Sequence, residues 1–218
     1  MYLVMMGVQG AGKGTQAAAI QERWNIPHIT SGGLFRAMKD QDTPLARRVQ
    51  DIMARGELVP DDITIQIIRE RITQSDARDG YILDGFPRTL PQAEALDALM
   101  AELGKALTAV VYLHISDEEA VERISGRLQC ELDEKHIYHV RYNPPQEPGV
   151  CDIDGGRLFT REDDRPEAVR KRIAAFHEKT QPLLDYYRQK GLLLEIDAEK
   201  SIEQVTEDVF RALESVRA

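Results

Sequence analysis

The chain has 218 residues, 42% of them hydrophobic and 30% charged, two cysteines and a formal net charge of −9, which suits one sizeable core with an inserted subdomain rather than two full domains. The acidic surplus argues against non-specific binding to nucleic acid or an anionic membrane, so a polyanionic ligand must meet locally concentrated Arg and Lys. No apolar run reaches the ~18 residues of a membrane helix, the first residues enter a strand rather than a leader, and cysteine is scarce, so the expectation is a cytoplasmic protein, with nothing demanding more than a monomer.

The apolar run Tyr2–Met6 predicts a buried strand. It leads into Gly7-Val8-Gln9-Gly10-Ala11-Gly12-Lys13-Gly14-Thr15, whose glycines let successive backbone N–H groups turn inward on a polyanion, while the helix that follows adds partial positive charge. Lys13 can then reach β- and γ-phosphates. The spacing Gly7-x4-Gly12-Lys13 matches a phosphate-binding loop, with the expected hydroxyl displaced by Gly14 to Thr15. Ala17–Trp24 continues the helix, His28–Thr30 is β-like, and Ser31 offers an N-cap for a helix over Leu34–Lys39. Helical stretches follow at Leu45–Arg55 and Ile63–Gln74. Tyr81–Leu83 predicts a buried strand ending at Asp84-Gly85, followed by a helix over Pro91–Leu103, a strand over Ala109–Ile115 and a helix over Asp117–Gly126.

A polar stretch with Pro144-Pro145, Pro148-Gly149 and Gly155-Gly156 then breaks the alternation over Arg127–Arg161 and predicts an insertion. Beyond it come a long helix over Pro166–Arg188 kinked at Pro182, a strand over Leu192–Ile196 and a last helix from Ile202. The fold class implied is α/β: five parallel strands with helices on both faces and a ligand crevice at the strands' carboxyl ends.

Asp84, at the end of an apolar strand, stands where a carboxylate can hold Mg²⁺ directly or through water, or it is a turn residue. Gly85 permits close backbone approach, Pro87 stiffens the turn and Arg88 presents a planar fork to a phosphate. Taken in order, the Gly7–Thr15 loop with Gln16, Ser31-Gly32-Gly33-Leu34-Phe35-Arg36, Leu83-Asp84-Gly85-Phe86-Pro87-Arg88-Thr89, Gln92-Ala93, Gly126-Arg127, Tyr138-His139, Asn143-Pro144-Pro145, Arg161-Glu162-Asp163-Asp164 and Val169-Arg170-Lys171-Arg172 cover essentially the whole chain. In these motifs the chain resembles the bacterial adenylate kinases, long-lid nucleoside monophosphate kinases that interconvert ATP plus AMP with two ADP.

That resemblance implies a phosphate-loop core at 1–126 and 162–218, an AMP-binding helical segment at about 31–60 and a lid at 127–161. ATP would lie against Gly10, Ala11, Gly12, Lys13, Gly14 and Thr15, beneath Arg123 and Arg127, with further contacts at Tyr138 and the backbone near Lys200. AMP would meet Ser31, Arg36, the backbone of Glu57, Leu58 and Val59, the turn Gly85-Phe86-Pro87-Arg88, and Gln92. Arg161 and Arg172 would bridge the phosphates being joined, so Lys13, Arg88, Arg123, Arg161 and Arg172 form the implied catalytic set, with Mg²⁺ held at Asp84 through water. Phosphoryl transfer between two polyanions needs charge neutralisation more than covalent help, which agrees with convergent arginines. Taken singly, Arg123 and Arg127 fit a solvated helix face equally well, and Arg161 a loop charge. The chain departs from the family at Gln9, commonly proline, at Gly33, usually aspartate, and at Ala198, usually glycine.

Within the insertion, Cys130-x2-Asp133 and Cys151-x2-Asp154 copy a paired zinc frame with aspartate as the second ligand of each pair. Structural Zn²⁺, a metal-free hydrogen-bond network and two small buried cysteines all fit that pattern, and His136 and His139 lie close enough to substitute as ligands. A lid is expected because water competes for the γ-phosphate, so the site must close over both nucleotides.

A kinase for UMP, CMP or GMP would share the phosphate contacts and differ only at the base. A GTPase switch lacks an Asn-Lys-x-Asp motif here, and a nucleic-acid ATPase conflicts with the net charge and with the lack of an apolar strand ending in Asp-Glu. The partners expected are ATP, AMP and ADP, with no nucleic acid and no membrane.

Overall fold

The computed structural model describes residues 1–38, 41–54, 58–133, 136–161 and 164–216. In chain order the first part comprises β1 (Tyr2–Met6), α1 (Lys13–Trp24), β2 (His28–Thr30), α2 (Ser31–Ala37), α3 (Pro44–Ala54), α4 (Asp61–Ile72), β3 (Tyr81–Asp84), α5 (Leu90–Glu102), β4 (Ala109–His114) and α6 (Asp117–Ser125). The insertion carries β5 (Arg127–Cys130), β6 (Ile137–His139) and β7 (Leu158–Phe159), and the chain closes with α7 (Pro166–Ala175), α8 (Pro182–Gln189), β8 (Leu193–Asp197) and α9 (Ile202–Ser215).

Strands covered on both faces need nearly continuous apolar runs, and β1, β3 and β4 have them. Leu3, Val4, Tyr81, Ile82, Leu83, Val110 and Leu113 are fully buried. The five core strands form one parallel sheet in the order β2-β3-β1-β4-β8. The chain fills one side of β1 with β3 and β2, then crosses to the other with β4 and β8, so β1 is the topological switch point and the glycine loop leaves from it. Parallel register pairs Asp84 with Met5 of β1 and with Thr30 of β2, which places the carboxylate at the mouth of that crevice.

Helices α1, α4, α5 and α9 complete the main core through Ile20, Ile68, Ile72, Leu96, Leu99, Val209 and Leu213. A separate apolar cluster of Phe35, Met38, Ala46, Val49, Ile52, Val59 and Ile63 holds α2, α3 and the start of α4 together. A third, small one joins Cys130, Tyr138, Cys151 and Leu158. It lies under a three-stranded antiparallel sheet, β6-β5-β7, where sequence patterning predicted only an irregular insertion. The strands are two to four residues long, too short for an alternation to show.

Two local expectations are corrected. Thr30, not Ser31, caps α2, its hydroxyl accepting from the Gly33 amide at 3.0 Å, while Ser31 opens the helix and turns its side chain to the crevice. The long C-terminal helix does not simply kink at Pro182. It widens over Phe176–Thr180 into a π turn in which the Gln181 amide donates to the Phe176 carbonyl at 2.8 Å. Pro182 has no N–H to give, and its ring crowds the preceding turn, so the ladder widens just before it. No helix among the described residues is long and apolar enough to cross a membrane.

Candidate active site

The loop between β1 and α1 is shaped by glycines that no other residue could replace without strain. Gly10 and Gly12 have φ of 90° and 86°. A Cβ on Gly10 would meet the Ala120 carbonyl at 2.9 Å, and one on Gly7 the Leu113 carbonyl at 2.6 Å, so the loop lies tightly on β4 and α6. On the other side Gly12 and Gly14 face open space, as an anion cradle requires. Ala11 is buried and Thr15 is exposed on the first turn of α1. Lys13 folds back over the loop, its Nζ donating to the Gly7 and Val8 carbonyls at 2.9 Å each. Burial lowers the pKa of this ammonium, and the positive charges of Arg88, Arg127 and Arg172 lower it further against the opposing pull of Asp84. Four cations therefore share one crevice with the carboxylates of Asp84 and Asp164.

Asp84 is the first of those carboxylates. Burial works against its charge, but His28, Lys13 and Arg88 outweigh it and hold the pKa below the ordinary value. His28 Nε2 lies 3.4 Å from Asp84 Oδ2. Gly85, at φ 77°, begins a turn whose Phe86–Pro87 peptide is cis. Phe86 is buried in the main core and anchors that turn. Ser31 Oγ and Arg88 Nε both donate to the Gly85 carbonyl at 2.8 Å. Any Cβ on Gly85 would come within 2.7 Å of Ser31 Oγ and 3.0 Å of Arg88 Nη2, so only glycine allows this meeting. Burial lowers the Arg88 pKa, and Arg172 lowers it further. Thr180, in the π turn, donates to the Arg88 carbonyl at 3.0 Å, which explains what that widened turn positions.

Gln92 is buried, with both ends of its amide in use: Oε1 accepts from the Arg88 amide at 2.8 Å and Nε2 donates to Asp61 Oδ1 at 2.7 Å. Asp61 also accepts from Thr89 Oγ1 at 2.9 Å. Asp61 was not singled out in the sequence. Its only signal is the acidic start of α4 at Asp61-Asp62, which equally fits the helix dipole. Arg36 folds over Gly32, its Nη1 3.1 Å from where a Cβ would stand. Val59 is buried and Leu58 partly exposed beside it. The expected contact at Glu57 lies outside the described residues.

The remaining cations come from the insertion and its flanks. Arg123 donates through Nε to Glu119 at 2.7 Å, one turn earlier on α6. Arg127 forks onto Asp164, with Nε donating to Oδ2 at 2.8 Å and Nη2 to Oδ1. Asp164 is buried, and its amide donates to the Arg161 carbonyl at 3.1 Å. Arg172 acts electrostatically on both Lys13 and Arg88, which places it at the crevice. Lys200 is turned away, paired through Nζ with Asp208 of α9 at 2.8 Å. Tyr138 is buried in the insertion's own core, its hydroxyl accepting from the Asp152 amide at 2.8 Å, so its side chain does not face the crevice.

In the insertion the thiols of Cys130 and Cys151, a ring nitrogen of His136 and an Asp154 oxygen lie within 4.8 Å of one another. His136 occupies the place that the x2 spacing gave to Asp133, whose carboxylate is 3.8 Å from His136 Nε2 on the far side of the ring. The reason is strand pairing: the Cys130 amide donates to the His136 carbonyl at 3.0 Å, so the hairpin sets these two residues side by side. Asp154 takes hydrogen bonds from the Gly156 amide at 2.9 Å, from Cys130 at 3.2 Å and from His136 Nδ1 at 2.8 Å. The Gly156 amide most of all, then the Cys151 thiol, with Cys130 and His136 adding to them, hold its carboxyl far below the usual carboxylate range.

A family profile described as adenylate kinase matches residues 5–192. The chain belongs to the adenylate kinase family. It is 46% identical over 214 residues to an adenylate kinase of Staphylococcus aureus strain Mu50 and equally so to that of Oceanobacillus iheyensis, in each case covering 98% of this chain and 99% of the relative. The adenylate kinase of Staphylococcus epidermidis is 45% identical over the same span. Membership in the adenylate kinase family makes the chain a phosphotransferase and implies Mg²⁺ and adenine nucleotides as its ligands.

Within this adenylate kinase fold Asp61 holds Gln92 and Thr89, and through Gln92 the amide of Arg88. Asp61→Ala is expected to raise the KM for AMP about tenfold, the size of hydrogen bonds lost to a charged group, with the KM for ATP unchanged. Steady-state kinetics with each nucleotide varied in turn checks it, and equal changes in both constants would contradict it.

Proposed function

We propose that the chain transfers the terminal phosphoryl group of Mg-ATP to AMP, reversibly giving two ADP, at the crevice between the glycine loop and the Gly85–Arg88 turn. The observation that carries this reading is the gathering of Arg88, Arg127 and Arg172 around Lys13, close enough for their charges to act on it. Such a gathering is stabilised by two facing phosphate chains, and by them most strongly as charge spreads in the transition state.

Backbone N–H groups of Gly10–Thr15 receive the ATP phosphates and Lys13 exchanges its two loop carbonyls for phosphate oxygens. Ser31, Arg36, the backbone of Leu58 and Val59, and Arg88 receive AMP, with Gln92 fixing Arg88 from behind. Arg123, Arg161 and Arg172 complete the charge around the transferred group. Asp84 fits a Mg²⁺ role because it is a hard oxygen donor kept ionised by its cationic neighbours. When bound, the ion would offset phosphate charge and polarise the phosphoryl group as a Lewis acid. Three separate apolar clusters support a division into a core at 1–126 and 162–218, an AMP-binding segment at about 31–60 and a lid at 127–161. Both cysteines are free and buried, in keeping with a cytoplasmic protein, and we take it to act as a monomer. A kinase for UMP, CMP or GMP is not favoured, since the family match and the relatives named above bear the adenylate kinase name. Phosphoryl transfer from Mg-ATP, assayed against AMP, UMP, CMP and GMP in parallel, is expected to be fastest with AMP by orders of magnitude. Equal rates across the four, or ATP hydrolysis with no diphosphate product, would overturn the assignment.

The lid cluster fits Zn²⁺, since two thiols, an imidazole and a carboxylate form the four-ligand donor set of structural zinc sites. Cys130, His136, Cys151 and Asp154 would hold it, and the ion would cross-link the two ends of a subdomain whose apolar core is small. Protein purified without added zinc is expected to carry the metal in stoichiometric amount by elemental analysis, and Cys130→Ser to lose it. Metal-free wild-type protein with an equally stable lid would assign the cluster to hydrogen bonding alone.

A further inference from the structure

Gln9 stands where the family commonly has proline, and the structure shows what its amide does. Its Nε2 donates to Asp164 Oδ1 at 3.2 Å, across 155 positions of sequence. Asp164 is 1% exposed and takes the Arg127 fork on both of its oxygens, Oδ1 shared with Gln9 and Oδ2 taken by Arg127 alone. Arg127 is the first residue of β5, where the chain leaves the core for the insertion, and Asp164 stands just after the insertion ends. One carboxylate thus joins the phosphate loop to both ends of the inserted segment. Gln9 Oε1, by contrast, is buried and has no hydrogen-bond partner among the described residues. A buried acceptor left without a donor is costly, so the contact that fixes this side chain is the one Nε2 makes to Asp164. Proline has no such donor to offer.

We propose that Gln9 is a positioning residue for ATP, which through Asp164 sets the Arg127 guanidinium against the phosphate loop before the nucleotide arrives. A fork resting on a carboxylate that is itself held from a second direction has less freedom to lose on binding, which favours the triphosphate. AMP, bound across the crevice at Ser31 and Arg88, gains nothing from it. The inference rests on the assignment of Arg127 to the ATP phosphates.

The test is steady-state kinetics on Gln9→Met, which keeps the length of the side chain and removes the donor, with Gln9→Ala as a second variant should the first fold poorly. The expected result is a KM for ATP raised about tenfold, the scale of one hydrogen bond to a charged group, an unchanged KM for AMP and a smaller change in kcat. In an Asp164→Ala background, which has no acceptor for Gln9 Nε2, the Gln9 substitution should have a much reduced effect. An unchanged KM for ATP, an equal rise for both nucleotides, or the same effect in both backgrounds would overturn the proposal. Arg127→Lys, which keeps the charge and loses the fork, separates the two levels. If it raises the KM for ATP while Gln9→Met does not, only the role of Gln9 fails. If it leaves that constant unchanged, the placement of Arg127 on ATP fails and takes the role of Gln9 with it.

Discussion

The constraint on which the rest of this structure depends is mutual repulsion among cations held in a partly dry crevice. Arg88, Arg127 and Arg172 lie close enough to lower the Lys13 pKa, on top of its burial and against the pull of Asp84. Like charges do not gather in this way unless something else holds them, and here three of the four are held by separate parts of the fold. Lys13 is held by loop carbonyls, Arg88 by the Gly85 carbonyl, and Arg127 by Asp164. On the proposed reading, entering phosphate chains would offset that repulsion, which is the sense in which the site is preorganised.

Backbone features seen elsewhere in the fold serve the same end. Gly7 and Gly10 bring the loop onto β4 and α6 so closely that a methyl group would collide with carbonyls, which fixes the cradle without any side chain entering it. Gly85 lets Ser31 and Arg88 share one carbonyl. The π turn before Pro182 carries Thr180 to the Arg88 carbonyl, so a proline in a long helix steadies an arginine of the site. Asp61 steadies the same arginine through Gln92. Most of these contacts join distant parts of the chain, and together they give a guanidinium whose charge burial disfavours a fixed place.

Much of this was legible in the sequence because it depends on local pattern. The apolar runs at Tyr2–Met6, Tyr81–Leu83 and Ala109–Ile115 mark buried parallel strands, and the glycines with Lys13 mark the loop between the first strand and its helix. What was not legible depends on pairing between distant residues. The short strands of the insertion carry too few residues for alternation to show, so the hairpin that sets His136 beside Cys130, in the place expected for Asp133, was hidden. Thr30 and Ser31 are both good caps, and only the path of the chain from β2 decides between them. Gln9 and Asp164 are ordinary polar residues until the fold brings them together.

The account's central claim is that a preorganised cationic crevice drives phosphoryl transfer, and Lys13 is the charge at its centre. The most direct measurement is the turnover of Lys13→Met with Mg-ATP and AMP, alongside circular dichroism to confirm that the fold is intact. Loss of one transition-state charge contact predicts a fall in kcat of about 10²–10³ in a folded protein. Turnover close to that of the unaltered chain would contradict the account.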